Sequence, residues 1–280
     1  MILADALIDK IVSATDGNSD EVRFFLNNFI NETRVALKLL KPYLDHQLTF
    51  LEMGSGLGFF SLFLRSENYK VTALEPVAGG FDRFSVAKEI ILSHYSGLDS
   101  ALDLLVLDKK AHELDPQVDG HFDVVFSNNV IEHIPELTQT LKALADVLSP
   151  QDRMVHGCPN YIVPYEPHLQ IPVMGCWPRA SEIVYREKVN NMADIWQSLN
   201  FSTYFDVRRF ARHNKMNLDL RKGLIHQAFL RLESAPYFSS RQKGSAFSMI
   251  YKCLKVSGLL SLLKLWPPAF SKLMIFELRQ

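Results

Sequence analysis

Three alternating glycines between two apolar runs constrain the fold more than any other part of this sequence. The runs are 48–53 (LTFLEM) and 59–65 (FFSLFLR), and Gly54, Gly56 and Gly58 lie between them. The first run is typical of a short buried strand and the second of the start of a helix. Glycine adopts positive φ and lets a ligand approach the backbone closely. The stretch therefore predicts a strand, a tight turn and a helix, with a ligand at the turn.

Short apolar runs and helical patterns continue to alternate after this turn. The predicted strands are 69–74, 104–107, 122–127 and 153–157, and the predicted helices are 81–94 and 137–148. A helix is also expected at 180–199, then a helix, a strand (217–220) and a helix within 203–232, and a last strand after Pro267-Pro268. Strands that alternate with helices favour a parallel sheet with helices on both faces, so we expect an α/β fold.

Four regions differ in composition, and they suggest the domain organisation. Residues 1–46 form an N-terminal helical segment, interpreted as a lid or packing pair of helices, and 47–280 form the main domain. Within it, a proline-rich stretch predicts an inserted cap at about 160–200, because long ordered loops in compact domains are often functional. The prolines are 159, 164, 167, 172 and 178. Residues 245–280 form an apolar section with scattered lysines.

Charge and cysteine content narrow the class of protein. The formal net charge of −1 over 280 residues argues against nucleic acid as a partner. Three cysteines without a CxxC pair favour a reducing compartment. The N-terminus lacks the basic region of a secretory signal. No apolar run reaches the roughly 18 residues of a membrane span. We therefore expect a cytoplasmic protein.

The glycine spacing distinguishes between two nucleotide-binding patterns. The dinucleotide fingerprint is G-x-G-x-x-G, whereas this turn reads G-x-G-x-G and has Phe59 where the last glycine belongs. The chain also lacks G-x-x-x-x-G-K-[ST], so the turn is not a P-loop. A nucleotide-dependent oxidoreductase is thus a weaker hypothesis.

Glu52-x-Gly54-x-Gly56-x-Gly58 resembles the first motif of the class I S-adenosylmethionine (SAM)-dependent methyltransferases. Three further segments match in order: VTALEP ending the second strand, FDVVFSNNVIEHIPEL at 122–137, and LADVLSPQDRMVHGCPN at 144–160. The resemblance covers about 45–160. It implies a doubly wound, mostly parallel, seven-stranded sheet of the Rossmann-like type with an antiparallel last strand. It also implies SAM as methyl donor and S-adenosyl-L-homocysteine as product.

The resemblance implies a cofactor site at the ends of the first strands. Its residues would be Glu52, Gly54, Ser55, Gly56, Gly58, Glu75, Pro76, Ala111 and Asn128. The Glu75 carboxylate would accept both ribose hydroxyls. Glu52 either helps bind the cofactor's amino group or only anchors the turn.

The adenine end departs from the family pattern. Lys110 stands where many relatives have an aspartate that faces adenine. Either Asp108 or a backbone carbonyl would accept the hydrogen bond from adenine, or apolar contacts would hold the adenine ring. Ala111 is expected to be a neighbour of adenine. Lys109 and Lys110 are otherwise interpreted as exposed charges.

Candidate acceptor-side residues follow the fourth and fifth strands. His133 and His168 are the candidate catalytic bases, with Glu166 as the partner that orients His168. Tyr161, Tyr165 and Glu166 are candidate substrate contacts. A structural role for His133, and a rigid loop whose polar groups only satisfy the backbone, remain open alternatives. No metal is expected, because His168 and Glu166 have no third ligand nearby in sequence.

Together these features predict a methyltransferase acting on oxygen or nitrogen of a small molecule, a sugar or a lipid-linked glycan. The alternative is a non-catalytic SAM-binding or scaffold protein. Residues 245–270 resemble a basic amphipathic helix with Trp266. Such a segment either touches the inner face of a membrane peripherally, or packs on the domain or in a homodimer.

Overall fold

The computed structural model describes residues 5–15, 19–76, 85–173, 177–234 and 246–280, and a seven-stranded sheet lies at its centre. The strands are β1 Thr49–Met53, β2 Lys70–Leu74, β3 Val106–Leu107, β4 Phe122–Asn128, β5 Leu148–Pro159, β8 Asn217–Leu220 and β9 Leu273–Arg279. Their order is β3-β2-β1-β4-β5-β9-β8. The first five pair in parallel, and β9 runs antiparallel to β5 and β8. The predicted α/β class with an antiparallel last strand is confirmed.

The helices lie before, between and after these strands. They are α1 Asp5–Ala14, α2 Ser19–Leu40, α3 Phe59–Ser66, α4 Ser85–Leu98, α5 Pro116–Asp119, α6 Leu137–Asp146, α7 Pro178–Val184, α8 Arg186–Asn191, α9 Ala193–Ser198, α10 Tyr204–His213, α11 Leu224–Ser234 and α12 Ala246–Val256. Residues 81–84, the predicted start of α4, lie outside the described residues.

Period-two alternation in the inner strands divides the core between the two faces of the sheet. Phe50 and Val124 pack against α2 and α3. Leu51 and Val125, the next residues along, pack against α6 and α10 on the other face. All four side chains are buried. Both faces are therefore covered, as a parallel sheet requires.

The glycine turn connects β1 to α3 through three left-handed residues. Gly54, Gly56 and Gly58 have φ of +74°, +54° and +80°. A Cβ on Gly54 would lie 2.4 Å from Cγ2 of Val130, so the turn also packs tightly against the segment after β4. The strand, turn and helix predicted from this stretch are all present.

The structure of the cap differs from the prediction in two respects. The single helix expected at 180–199 is three short helices, α7 to α9, with non-helical backbone at Tyr185 and Met192. Ile183 and Val184 directly precede the first break, and β-branched residues favour helix weakly. The proline-rich loop contains a hairpin, β6 Tyr165–Glu166 with β7 Ile171–Pro172.

The C-terminal section is only partly packed on the domain. Tyr251 of α12 is buried and stacks on Phe229 of α11. Val256, Leu262 and Leu265 are 91%, 57% and 80% exposed. The described helices include none that is long and apolar enough to cross a membrane. Cys158 and Cys253 are free thiols, and Cys176 lies outside the described residues.

Candidate active site

The glycine turn is held by the end of the neighbouring strand. The N–H of Gly56 donates to Oε2 of Glu75 at 2.8 Å. The N–H of Gly54 donates to the carbonyl of Leu74 at 2.8 Å. Burial raises the pKa of Glu75, while the Gly56 N–H and the Lys88 charge act against that rise. Glu75 thus lies at the turn, where the sequence placed it.

Glu52, in β1 just before the turn, anchors the turn to α3. Its carboxylate accepts a hydrogen bond from the hydroxyl of Ser61, and both side chains are buried. Burial raises the pKa of Glu52 to about 8, and the charge of Glu75 adds to the rise. Of the two interpretations open from the sequence, this contact favours the anchor.

Helix α2 reaches the site, which agrees with the lid among the two interpretations of residues 1–46. Phe29 lies against the turn, because a Cβ on Gly56 would be 2.7 Å from its ring. Oε2 of Glu32 accepts hydrogen bonds from Nδ2 of Asn128 at 2.9 Å and of Asn129 at 2.8 Å. The N-terminal helices therefore cover the turn and the end of β4. The sequence did not single out Phe29 or Glu32 as the residues that make these contacts.

The segment after β3 lies beside β2. Ala111 is buried in the core at the start of a 3-10 turn, Ala111–Glu113. Lys110 and Asp108 are exposed. The expectation that Lys109 is simply an exposed charge is wrong, because its Nζ pairs with the carboxylate of Asp119 at 2.7 Å. Lys88 on α4 is a further cation near Glu75 and Asp108; burial lowers its pKa and both carboxylates oppose that change.

A 3-10 turn after β4, Ile131–His133, carries two acceptor-side groups. The cap holds this turn through Asn200, whose Nδ2 donates to the carbonyls of Ile131 at 2.6 Å and Ile134 at 2.8 Å. The N–H of Asn200 also donates to the carbonyl of Glu132 at 2.8 Å. Asn200 is thus a positioning residue that sequence reasoning missed.

The ring of His133 has one hydrogen-bond partner among the described residues, and its tautomer follows from that partner. Its Nδ1 lies 2.7 Å from Oγ of Ser198. That hydroxyl donates its one hydrogen to the carbonyl of Ile195 at 2.7 Å. Nδ1 of His133 must therefore carry the hydrogen, which leaves Nε2 as an acceptor. Burial lowers the pKa of His133 to about 4, and the charge of His168 contributes.

The cap loop brings His168 to the same place. Its Nδ1 lies 2.7 Å from Oε1 of Glu166, whose Oε2 accepts from the N–H of Leu169 at 2.6 Å. Although burial acts against ionisation, these hydrogen bonds lower the pKa of Glu166. Burial also lowers the pKa of His168, but Glu166 outweighs it and the net shift is upward. Glu166 is fully buried, so it orients His168 as expected and does not reach the surface of the site.

The two candidate substrate contacts, Tyr161 and Tyr165, differ in burial and in their contacts. The hydroxyl of Tyr161 donates to Oε1 of Glu166 at 3.3 Å, and its ring lies 3.9 Å from Nζ of Lys272. Tyr161 is buried, whereas Tyr165 is 38% exposed. Lys272 was not predicted as a site residue, because it lies in the C-terminal section, far along the chain, and only the fold brings it here. Burial lowers the pKa of Lys272 to about 8.

Asn160 connects the C-terminal segment to the end of β5. Its Nδ2 donates to the carbonyls of Ala269 at 2.7 Å and Ser271 at 3.2 Å. Its Oδ1 accepts from the N–H of Tyr204 at 3.1 Å. These contacts fix the backbone just before Lys272. The Pro-Asn that ended the resemblance thus has a structural role.

The turn fits a nucleoside that carries an amino acid. The hydroxyl of Ser55 is buried and has no hydrogen-bond partner among the described residues. The three glycines present backbone without side chains, and the acid after β2 is already in place. Ligands of open α/β sheets bind at the carboxyl ends of the strands, which is where these groups meet. Pro76 follows Glu75 and is half-buried.

The comparisons with known proteins identify the class. The family described as "Methyltransferase domain" matches residues 27–207. An uncharacterized protein of Mycobacterium tuberculosis is 30% identical over 234 residues, which cover 81% of this chain and 76% of that protein. The chain belongs to the methyltransferase domain family. The predicted methyltransferase family is confirmed.

Other similarities are more distant. A probable polyketide synthase of Dictyostelium discoideum is 27% identical over 206 residues, which cover 65% of this chain and 6% of that protein. Among solved structures, phosphoethanolamine N-methyltransferase 2 of Haemonchus contortus in complex with SAM has a TM-score of 0.49 at 16% identity. The alignment covers 89% of this chain and about half, 51%, of that structure.

Proposed function

We propose that this protein transfers a methyl group from SAM to an oxygen or nitrogen atom of a polar acceptor group, bound beside His133 and His168. The observation that carries this proposal is the placement of the two groups of residues. The glycine turn and Glu75 follow β1 and β2, and the histidines follow β4 and β5. The carboxyl ends of these parallel strands lie at one edge of the sheet.

The cofactor would be held by backbone and two polar side chains. Glu75 would accept the ribose hydroxyls, and the N–H of Gly56 fixes its carboxylate at the turn. The unpartnered hydroxyl of Ser55 offers a further contact at the turn. Asp108 and Ala111 are the candidate neighbours of adenine. SAM supplies an electrophilic methyl group on a sulfonium, and bound there it would lie next to the acceptor side.

Helix α2 is the proposed cover of the cofactor. Phe29 packs on Gly56, and Glu32 accepts hydrogen bonds from Asn128 and Asn129. Closing the site on this side would exclude water and strengthen the electrostatic contacts inside. In this proposal residues 1–46 are part of the catalytic unit rather than a separate attachment, and Asn128 acts through Glu32.

Acceptor activation is assigned to His133 and His168. Both rings use Nδ1 in a hydrogen bond to a neighbour, so Nε2 of each is the nitrogen that can face the acceptor. Through Nε2 a ring can accept the acceptor's proton. Glu166 contacts Nδ1 of His168, and the hydroxyl of Tyr161 donates to the same carboxylate. Tyr165, which is exposed, is the candidate that contacts the acceptor.

A lipid-linked acceptor is favoured over a freely diffusing one by the C-terminal segment. Exposed apolar residues and lysines alternate there, including Leu262, Lys264, Leu265 and Trp266. The carbonyls of residues 269 and 271 are bonded to Asn160, so this surface lies close along the chain to Lys272 in the site. An apolar face with lysines suits an anionic lipid surface.

The experiment is a turnover assay that measures S-adenosyl-L-homocysteine. The full chain is incubated with SAM and monosaccharides, sugar phosphates, phenols or a total polar lipid extract. We expect product above background with one acceptor class, and a loss of at least tenfold in the double variant His133→Ala/His168→Ala. Turnover that is unchanged in this variant would contradict the assignment of the acceptor side. SAM binding without turnover in any arm would favour the scaffold alternative.

A further inference from the structure

Three potential metal ligands converge on the acceptor side. One ligand atom from each of Glu132, His133 and His168 lies within 4.8 Å of the other two. The sequence argument considered only ligands near His168 in the chain, but the fold brings the β4 turn and the cap loop together. The centroids of the two imidazole rings are 5.6 Å apart. The reason given for expecting no metal therefore does not hold.

Both imidazoles present the nitrogen that a metal needs. Nδ1 of His133 donates to Ser198, and Nδ1 of His168 lies 2.7 Å from a carboxylate oxygen of Glu166. Nε2 is then the available lone pair on each ring, once any proton on it is displaced. In metal sites a histidine ligand almost always donates its other N–H to an oxygen, and a carboxylate is a frequent partner. Glu166 and Ser198 occupy these positions.

Glu132 is an independent observation that points to a ligand. Its side chain is fully buried, and neither carboxylate oxygen has a hydrogen-bond partner among the described residues. A buried carboxylate without a partner is costly, and such groups in native structures require an explanation. Nζ of Lys272 supplies charge at longer range, but it also has no hydrogen-bond partner within the described ranges. A cation between Glu132 and the two rings would satisfy the carboxylate.

We propose that Glu132, His133 and His168 bind one divalent transition-metal ion, such as Zn²⁺, Mn²⁺, Fe²⁺ or Co²⁺. Two imidazoles and one carboxylate suit these ions better than Ca²⁺ or Mg²⁺, which prefer all-oxygen sites. In a tetrahedral site with ligand atoms about 2.1 Å from the ion, these atoms lie about 3.4 Å from one another, so the side chains would close by up to about 1.4 Å on binding. The side chain of His168 is 33% exposed and can make this movement.

The inference rests on the proposed function for its role and names the acceptor class. Three protein ligands leave coordination positions for an oxygen acceptor, and a vicinal diol or hydroxy-acid would occupy two of them. The bound metal lowers the pKa of a coordinated hydroxyl. The hydroxyl proton leaves to solvent, the oxygen lone pair forms the O–C bond, and the electrons of the S–C bond remain on sulfur in the neutral product. With the metal bound, the histidines would activate the acceptor as metal ligands, and the role of base assigned to them above would apply only to the metal-free protein.

The test is direct metal binding by the full chain without acceptor. Protein freed of metal by chelation and dialysis is titrated with Zn²⁺ by calorimetry and with Co²⁺ by visible absorption. We expect one ion per chain and at least a tenfold weaker affinity in Glu132→Gln and in His168→Ala. His121→Ala, at an exposed histidine away from the site, should bind as the unaltered chain does. His168 is partly exposed, so its variant should fold even if Glu132→Gln does not.

Two outcomes would overturn the proposal: no stoichiometric binding, or equal binding in both site variants. SAM binding, measured on the same samples, separates this proposal from the proposed function. Binding of SAM without metal removes the metal site and leaves the methyltransferase proposal intact. Binding of metal without SAM would support the metal site and contradict the methyltransferase proposal.

Discussion

The carboxylate of Glu75 accepts a hydrogen bond from the N–H of Gly56 at 2.8 Å, so the end of β2 fixes the turn that follows β1. The contact joins two residues that lie 19 positions apart in the sequence, and it fixes the orientation of the carboxylate at the turn. Glu75 is therefore both part of the turn's structure and the candidate ribose acceptor.

Replacing Glu75 with glutamine should weaken SAM binding by about 10- to 100-fold. The variant loses charge-assisted hydrogen bonds, which contribute about 1.5–3 kcal/mol each. Calorimetric titration with SAM measures the change. Glu89→Gln, on the exposed side of α4, is the matched control and should leave the affinity unchanged. Equal affinities for the two variants would remove Glu75 from the cofactor site.

Adding one methyl group at Gly54 should lower the free energy of unfolding by about 2–4 kcal/mol. Its φ is +74°, and the new Cβ would overlap Val130 at 2.4 Å. Left-handed backbone and overpacking each contribute about 1–2 kcal/mol. Urea unfolding measures the effect. Gly97→Ala, in α4 with open space around it, should instead be neutral or stabilising by up to about 1 kcal/mol. A Gly54→Ala variant as stable as Gly97→Ala would contradict the turn geometry.

Asn200→Ala should loosen the turn that carries Glu132 and His133. The variant loses side-chain hydrogen bonds to the carbonyls of Ile131 and Ile134 and from the N–H of Ser202. At about 1 kcal/mol for each hydrogen bond, unfolding should become easier by about 2–4 kcal/mol. Zn²⁺ affinity should fall while SAM affinity stays. Asn190→Ala, at an exposed position of α8, is the control; a parallel loss there would show a general effect of the cap.

His156 should make the fold sensitive to acid. It is fully buried between Ser127 and Phe276, and burial lowers its pKa to about 3. The unfolded chain takes up this proton below a pKa of about 6.5, so stability is complete above that pH. It should fall by up to about 1.4 kcal/mol per pH unit as the pH drops from about 6.5 toward 3.

Urea unfolding between pH 7 and pH 5 tests this dependence. The slope should be smaller in His156→Gln than in the unaltered chain, while His121→Ala, at an exposed histidine, should retain it. A slope in His156→Gln that equals the slope of the unaltered chain would assign the acid sensitivity to other groups.

The C-terminal segment should bind anionic vesicles at low salt. Leu265 is 80% exposed, and Lys264 and Trp266 flank it. Sedimentation with phosphatidylglycerol vesicles should show binding that weakens as salt rises, because surface charges are screened. Leu265→Glu should reduce it, whereas Val118→Glu, at another exposed apolar position, should not. No binding by the unaltered chain would leave only packing or a homodimer for this surface.

The sheet was predictable because its signals are local. The run LTFLEM, the glycines after it and the later alternation each depend on neighbouring residues, and they reproduced β1, β2 and β4. The antiparallel direction of the last strand followed from the family resemblance instead. The prediction of one continuous helix in the cap was wrong, because the breaks at Tyr185 and Met192 depend on packing in the cap's own small core. Periodicity does not report such breaks.

The site was predictable only where one strand end carries the residue. Glu75 and His133 follow directly from motifs. Glu32, Asn200 and Lys272 come from helix α2, the cap and the C-terminal segment, and only tertiary contacts bring them to the ends of β4 and β5. Glu132 is next to His133 in the matched segment, but its buried state without a hydrogen-bond partner among the described residues is a property of the fold.

Calorimetric titration of the full chain with SAM, S-adenosyl-L-homocysteine and NAD tests the central claim most directly. The account predicts micromolar binding of both sulfur nucleotides and none of NAD, since the turn lacks the last glycine of the dinucleotide fingerprint. Binding of NAD, or of neither sulfur nucleotide, would contradict the cofactor site described here.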